Sequence, residues 1–157
     1  MCSVTRTTFA GGFAPSASNV IDYLTTTTSG DTTDFGDLTV ARASANASAS
    51  SGTRGLCAGG HNPTYTNVID YITIASTGNA TDFGDLTAAM GKSSGASTSV
   101  RAVFFAGQAP LLSPAENPTD RMEYVTIAST GDTTDFGDLY RAIKHASSSS
   151  DSNGGLQ

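Results

Sequence analysis

The sequence predicts an all-β chain made of three copies of one unit, and three observations carry that expectation. A five-residue word, Asp-Phe-Gly-Asp-Leu, stands at residues 34–38, 82–86 and 135–139, at steps of 48 and 53. Ahead of each word runs a segment that alternates apolar and polar residues and carries an acid followed by tyrosine: Asp22-Tyr23, Asp70-Tyr71 and Glu123-Tyr124. Period-two alternation with β-branched residues is the mark of a strand, and a fixed period of this length marks a repeat architecture. The composition agrees: only 38% of residues are hydrophobic and 14% charged. Ser, Thr and Gly make up most of the balance, and with Ala they suit close-packed strands and tight turns better than long amphipathic helices.

The elements follow in order within each unit. A first strand ends on Phe9-Ala10-Gly11-Gly12, Cys57-Ala58-Gly59-Gly60 and Phe105-Ala106-Gly107-Gln108, aligned at steps of 48; the paired glycines signal a turn. The clearest strand is 67–74, with counterparts at 19–26 and 121–127. On this alignment five extra residues of the third unit lie between Gln108 and Glu123, in a loop that holds Pro110, Pro114 and Pro118. Ser76-Thr77-Gly78-Asn79 marks a turn before the repeated word. The glycines of the word, Gly36, Gly84 and Gly137, suit positive φ in a turn. Third strands are expected at 38–42, 86–90 and 139–143. The run 43–48 contains only Ala, Ser and Asn, which fits either a fourth strand in a narrow place or a loop. The units are 3–50, 51–98 and 99–150 of a single domain over 1–157, with 151–157 a flexible tail.

Bulk charge narrows the partners. The net charge is −6, and the eight Lys and Arg residues are dispersed. Gripping phosphates requires clustered cations, so nucleic acid and anionic membrane are not expected partners. No apolar run has the length of a membrane span, and residues 1–6 lack the basic and apolar regions of a signal peptide. Cys2 and Cys57 have no metal-binding spacing. Cys57, in the slot of Phe9 and Phe105, reads as a small buried hydrophobe.

The order of these signals resembles the kelch repeat: an aromatic strand ending in Gly-Gly (Phe9-Ala10-Gly11-Gly12), an acid-aromatic pair (Asp22-Tyr23), a bulky aromatic (Phe35), then Arg42. The third Gly-Gly is Gly107-Gln108, and Met90 and Ile143 replace Arg42 in the later units. The resemblance implies a β-propeller of three blades, each of about four short antiparallel strands; a pseudo-threefold β-trefoil or β-prism is the alternative. The wording of the repeat is also similar to that of bacteriophage virion and tail-associated proteins, which implies a virion location. Three blades leave strand edges open, so a dimer completing six blades, or contact with other virion proteins, is expected.

Each candidate chemistry has a structural reading beside it. Phe35, Phe83 and Phe136, with Tyr23, Tyr71 and Tyr124, are expected as repeat core anchors. Exposed tyrosines would instead suit a carbohydrate-binding module for host attachment. The acids Asp34, Asp37, Asp82, Asp85, Asp135 and Asp138 are weak calcium candidates, lacking an EF-hand spacing; turn-setting by their side chains is the simpler reading. Asp-Phe-Gly without a phosphate loop or a strand lysine is not a kinase signature. Arg6, Arg54 and Arg101 suggest ion pairs between units. His61 and His145 do not recur, and no nucleophile is specified near them. The chain is therefore expected to be non-enzymatic and without cofactor, a structural or interaction protein. The insertion, with Pro110, Leu111, Leu112, Pro114 and Pro118, is the candidate binding loop.

Overall fold

The computed structural model describes residues 1, 3, 5–43, 47–109 and 117–148. Among them every regular element is a strand, and the strands form three antiparallel sheets of four. The first holds β1 (Arg6–Ala10), β2 (Phe13–Ala14), β3 (Ser16–Thr25) and β4 (Thr33–Arg42), with β3 paired to each of the others. The second runs β5 (Ala47–Ser50), β6 (Arg54–Ala58), β7 (Val68–Thr73), β8 (Thr81–Asp85) in spatial order. The third runs β9 (Ser94–Ser97), β10 (Arg101–Phe105), β11 (Thr119–Thr126), β12 (Thr134–Ile143).

The hairpins β1–β3, β6–β7 and β10–β11 repeat in register. Phe9 faces Asp22, Cys57 faces Asp70, and Phe104 faces Glu123. The last pair corrects the sequence alignment, which put Phe105 in that slot. The turn that follows needs two successive residues at positive φ. Gly11 (68°) and Gly12 (123°) supply it first, Gly59 (68°) and Gly60 (118°) second, and Ala106 (58°) and Gly107 (110°) third. The third turn is thus Ala106-Gly107 rather than Gly107-Gln108, with alanine accepting a left-handed conformation that usually favours glycine. The same shift brings Arg101 into line with Arg6 and Arg54, opposite Thr126, Thr25 and Thr73 respectively.

The repeated word is not a turn before a strand, as its Asp and Gly content suggested. It lies within β4 and β12, and its first four residues within β8. Its glycine has φ of 142°, 144° and 120° in the three copies, and each sheet shows a register shift there. A bulge absorbs the extra residue and bends the strand, and glycine supplies the conformation. In the second sheet the strand ends at Asp85, so 86–90 is not the strand expected.

The small-residue runs do form strands, but each opens the next sheet rather than closing its own. β5 and β9 are edge strands that lie against each other. A Cβ at Gly95 would stand 2.6 Å from the Ser48 carbonyl. Ser97 Oγ receives the Ser50 amide at 3.1 Å and donates to the Ser50 carbonyl at 2.9 Å. Only Gly, Ala and Ser fit backbones this close, which accounts for the composition. On the first sheet the matching place is held by Met1. Its carbonyl accepts the Thr8 amide at 2.9 Å, and its ammonium donates to the Thr8 carbonyl at 3.2 Å.

The core lies between sheets. One cluster, Ile21, Phe35, Leu38, Cys57, Ile72 and Ile74, joins the first sheet to the second. The other, including Leu56, Phe83, Leu86, Phe104, Val125 and Ile127, joins the second to the third. Each buried Phe contributes on the order of 2–3 kcal/mol of apolar burial. Cys57 is buried as expected.

Candidate assembly interface

Both junctions between sheets use one set of contacts. At the first, Phe35 on β4 is covered by the second sheet: the Gly78 amide donates to the Phe35 carbonyl at 2.7 Å and the Ala80 amide to the Asp37 carbonyl at 2.7 Å. At the second, the Gly131 amide donates to the Phe83 carbonyl at 2.8 Å and the Thr133 amide to the Asp85 carbonyl at 2.9 Å. Asn79 Oδ1 accepts the Asp37 amide at 3.0 Å; Asp132 Oδ1 accepts the Asp85 amide at 3.0 Å. The word's glycine is what lets the two backbones meet. A Cβ on Gly36 would collide with Gly78, and one on Gly84 with Gly131.

Three aromatic-cation stacks recur beside these contacts. Arg6, Arg54 and Arg101 each place the guanidinium 4.4 Å from the ring centre of Tyr23, Tyr71 and Tyr124. Each tyrosine meets its phenylalanine edge-on, at 5.9, 6.0 and 5.8 Å for Phe35, Phe83 and Phe136. Such geometry suits the ring quadrupoles and the cation. Arg6 then donates to the Ile74 carbonyl and Arg54 to the Ile127 carbonyl, each at 2.7 Å. The repeated arginines therefore cross to the next sheet through carbonyls, not through the ion pairs their proximity to Asp suggested.

The acid of the second and third acid-tyrosine pairs reaches back the other way. Asp70 accepts from the Thr39 amide and hydroxyl, and Glu123 from the Thr87 amide and hydroxyl. Asp70 also receives Arg42 Nη2 at 2.7 Å, with both side chains almost wholly buried. Arg42 Nη1 adds bonds to the Gly59 carbonyl at 2.9 Å and the Val68 carbonyl at 3.0 Å. Burial pushes the Asp70 carboxyl above its ordinary value, while the Thr39 hydrogen bonds and the Arg42 charge pull it back. At the second junction Met90 fills the matching place, 1% exposed, and Arg121 approaches Glu123 from the surface at 3.3 Å.

The outer face of the third sheet carries the same donor set, with nothing over it among the described residues. Phe136 is 46% exposed, against 3% for Phe35 and 2% for Phe83. Val100 is exposed beside it, and Tyr140 and Ile143 are exposed further along β12. Ala96, Val100, Val103 and Phe136 line an apolar hollow of about 450 Å³. A Cβ on Gly137 would meet nothing closer than the Met122 methyl at 3.9 Å. The Arg101 guanidinium finds no hydrogen-bond acceptor among the described residues. The first sheet carries the complementary set on its free side. Gly30 stands 48 residues before Gly78, with open space where a Cβ would point. Asp31 precedes Asn79, and Asp22 precedes Asp70, by the same step, and neither carboxylate has a hydrogen-bond partner among the described residues.

The other expected site residues fall as follows. Tyr23, Tyr71 and Tyr124 are half-buried, each with a ring face under a guanidinium, which leaves little platform for a sugar. Asp82 and Asp135 accept the Gly84 and Gly137 amides of their own bulges at 3.2 and 3.3 Å. Asp34, Asp37, Asp85 and Asp138 flank the same glycines, and no metal-holding group of acids, His or Cys occurs among the described residues. Of the candidate loop, Pro110, Leu111, Leu112 and Pro114 lie outside the described residues. Pro118 bridges to Gln108, and the Ala109 amide donates to the Asn117 carbonyl at 3.2 Å, so both ends of the loop are anchored. His61 stacks edge-on against Tyr65. Sequence reasoning missed the Arg42–Asp70 pair; the acid that recurs as Asp22, Asp70 and Glu123 was the available signal. Comparison with protein-family models and with curated proteins gives no match.

Proposed function

We propose that the chain is a non-enzymatic assembly module: three blades of a kelch-like propeller, which two copies close into a six-bladed ring. The observation that carries this reading is the pair of faces left unpartnered among the described residues. Phe136, Gly137 and Arg101 repeat the groups that Phe35, Gly36 and Arg6 use to hold the next sheet. Gly30, Asp31 and Asp22 repeat the groups that Gly78, Asn79 and Asp70 offer in return. A face that recognises its successor inside the chain is equipped to recognise the first sheet of another copy. Because the contact is head-to-tail, two of them about a two-fold axis consume all open faces. A virion-associated setting, proposed from the repeat's wording, suits a protein that works by assembly and loop contacts. A glycan-binding role has less support, since the tyrosine rings are engaged by arginine.

Light scattering on the 157-residue chain tests the reading. The expected mass is twice the 15.9 kDa of one chain, and Phe136→Glu is expected to return it to a monomer by placing a charge in the apolar contact. A single-chain mass for the unaltered protein at tens of micromolar overturns it.

A further inference from the structure

We infer that the closing contact is read by an ion pair of its own: Arg141 of one copy, carried beside Tyr140, takes the Asp22 carboxylate of the other. This deepens the assembly reading above and rests on it.

The inner junctions show what such an acid needs. Each acid is held by a threonine five residues past the start of the word, and by one arginine. Asp70 accepts the Thr39 amide at 3.3 Å and the Thr39 hydroxyl, and takes Arg42 Nη2 at 2.7 Å. Glu123 accepts the Thr87 amide at 2.9 Å and the Thr87 hydroxyl, and takes Arg121 Nη1 at 3.3 Å. The two arginines have different sources. Arg42 comes from β4 of the preceding sheet, whereas Arg121 lies on the acid's own strand, two places ahead of it.

The closing junction has neither source. Asp22 stands 48 residues before Asp70, and the place two ahead of it is Val20. Ile143, at the end of β12, holds the place of Arg42. Tyr140 replaces the threonine. Its amide can donate as those of Thr39 and Thr87 do. Its hydroxyl, at the far end of a ring, cannot return to the same carboxylate. A carboxylate covered without a counter-charge is strongly unfavourable, so the cation has to reach Asp22 from another position.

Arg141 is the cation of β12. It stands at the place of Val40, which is 40% exposed, and of Ala88, which is half-buried. That place is the border of the covered face. The Arg141 guanidinium lies 5.8 Å from the centre of the Tyr140 ring, which keeps it on the side that Tyr140 presents. Tyr140 is itself 96% exposed. A guanidinium stacked on a ring still has its edge donors available for a carboxylate. Neither Arg141 nor Asp22 has a hydrogen-bond partner among the described residues, so each offers what the other lacks. At a border open to water, such a pair governs partner choice and salt dependence more than raw affinity. The third word repeats the first two, and Tyr140-Arg141 is what makes its face differ from theirs.

Charge exchange tests the pairing, with the dimer dissociation constant read by sedimentation equilibrium at low and at high salt. Arg141→Glu and Asp22→Arg are each expected to weaken the dimer about tenfold at low salt, because both junctions of the ring carry the change. Mixing the two variants is expected to restore association to within about threefold of the unaltered chain, since a mixed ring holds one native and one exchanged pair. The doubly exchanged chain is expected to recover in the same way. Arg141→Gln is expected to lose most of the salt dependence. Single variants that leave the dimer unchanged overturn the pairing and leave the assembly reading standing. A double variant or a mixture no better than the single variants does the same. Recovery in the double variant but not in the mixture places the pair within one chain and also overturns it. A monomeric unaltered chain overturns both readings.

Discussion

The second and third sheets put the same five-residue word in the same local geometry, yet they give it opposite surroundings. Phe83 and Phe136 each meet their tyrosine edge-on, at 6.0 and 5.8 Å, under an arginine at the same distance. Phe83 is 2% exposed and Phe136 46%. The stack is thus fixed by the sheet's own residues, while burial comes wholly from the neighbour. The repeat encodes an interface, half on each side of every sheet, and the terminal halves are the faces that the proposed ring would close.

That contrast can be broken by making one substitution on both sheets. Phe83→Ala is expected to cost about 3–5 kcal/mol in urea unfolding, as a large core residue lost with a cavity left behind. Phe136→Ala, measured in the monomeric range of concentration, is expected to cost under about 0.5 kcal/mol while abolishing the dimer. Equal losses would mean that Phe136 is covered within its own chain.

The two junctions inside the chain differ in one buried charge, and Arg42→Met gives the first the residue of the second. It is expected to destabilise by about 3 kcal/mol near neutral pH, because Asp70 is left without its counter-charge. Adding Asp70→Asn should recover part of that loss in thermal denaturation. Recovery of nothing would show that Arg42 acts through its carbonyl bonds alone.

Glycine separates conformation from proximity. Gly84→Ala and Gly137→Ala share the positive φ, 144° and 120°, and each incurs about 1–3 kcal/mol of backbone strain. Only Gly84 faces another backbone, so Gly84→Ala should cost about 1–3 kcal/mol more. Equal costs in chemical denaturation would remove close approach as the reason for the word's glycine.

The smallest effect is in pH. The folded Asp70 carboxyl sits above the ordinary 3.8, so the folded chain holds that proton more tightly than the unfolded chain does. The contribution is full below about 3.8, declines as pH rises through the raised folded value, and is constant once the carboxylate has formed. Asp70→Asn should remove this slope. Unfolding midpoints of both proteins across the acid range check it, and parallel curves would mean that the carboxyl is not raised.

Much of the fold was readable because it repeats. The alternation around Tyr23, Tyr71 and Tyr124 marked β3, β7 and β11, and the small-residue runs marked places where two strands crowd. The errors have physical causes. Asp-Phe-Gly-Asp has the composition of a turn, but a bulge inside a strand needs the same residues. Ala106 took a conformation that sequence reserves for glycine, and the alignment slipped by one residue as a result. Arg42 has no counterpart in the other units, so its burial against Asp70 is a tertiary fact with no periodic trace. The open faces were unreadable in detail because the third word is spelled like the first two; only its place at the end of the row distinguishes it.

The segment between Ala109 and Asn117 interrupts the third unit alone, and its ends are pinned to each other. In the proposed ring of two chains this segment occurs twice, at positions related by the dyad. A target touched by both copies would be held at two points, the second hold forming at the high effective concentration set by the first. Weak recognition by one loop then yields firm attachment by the ring, provided the target also presents itself in duplicate.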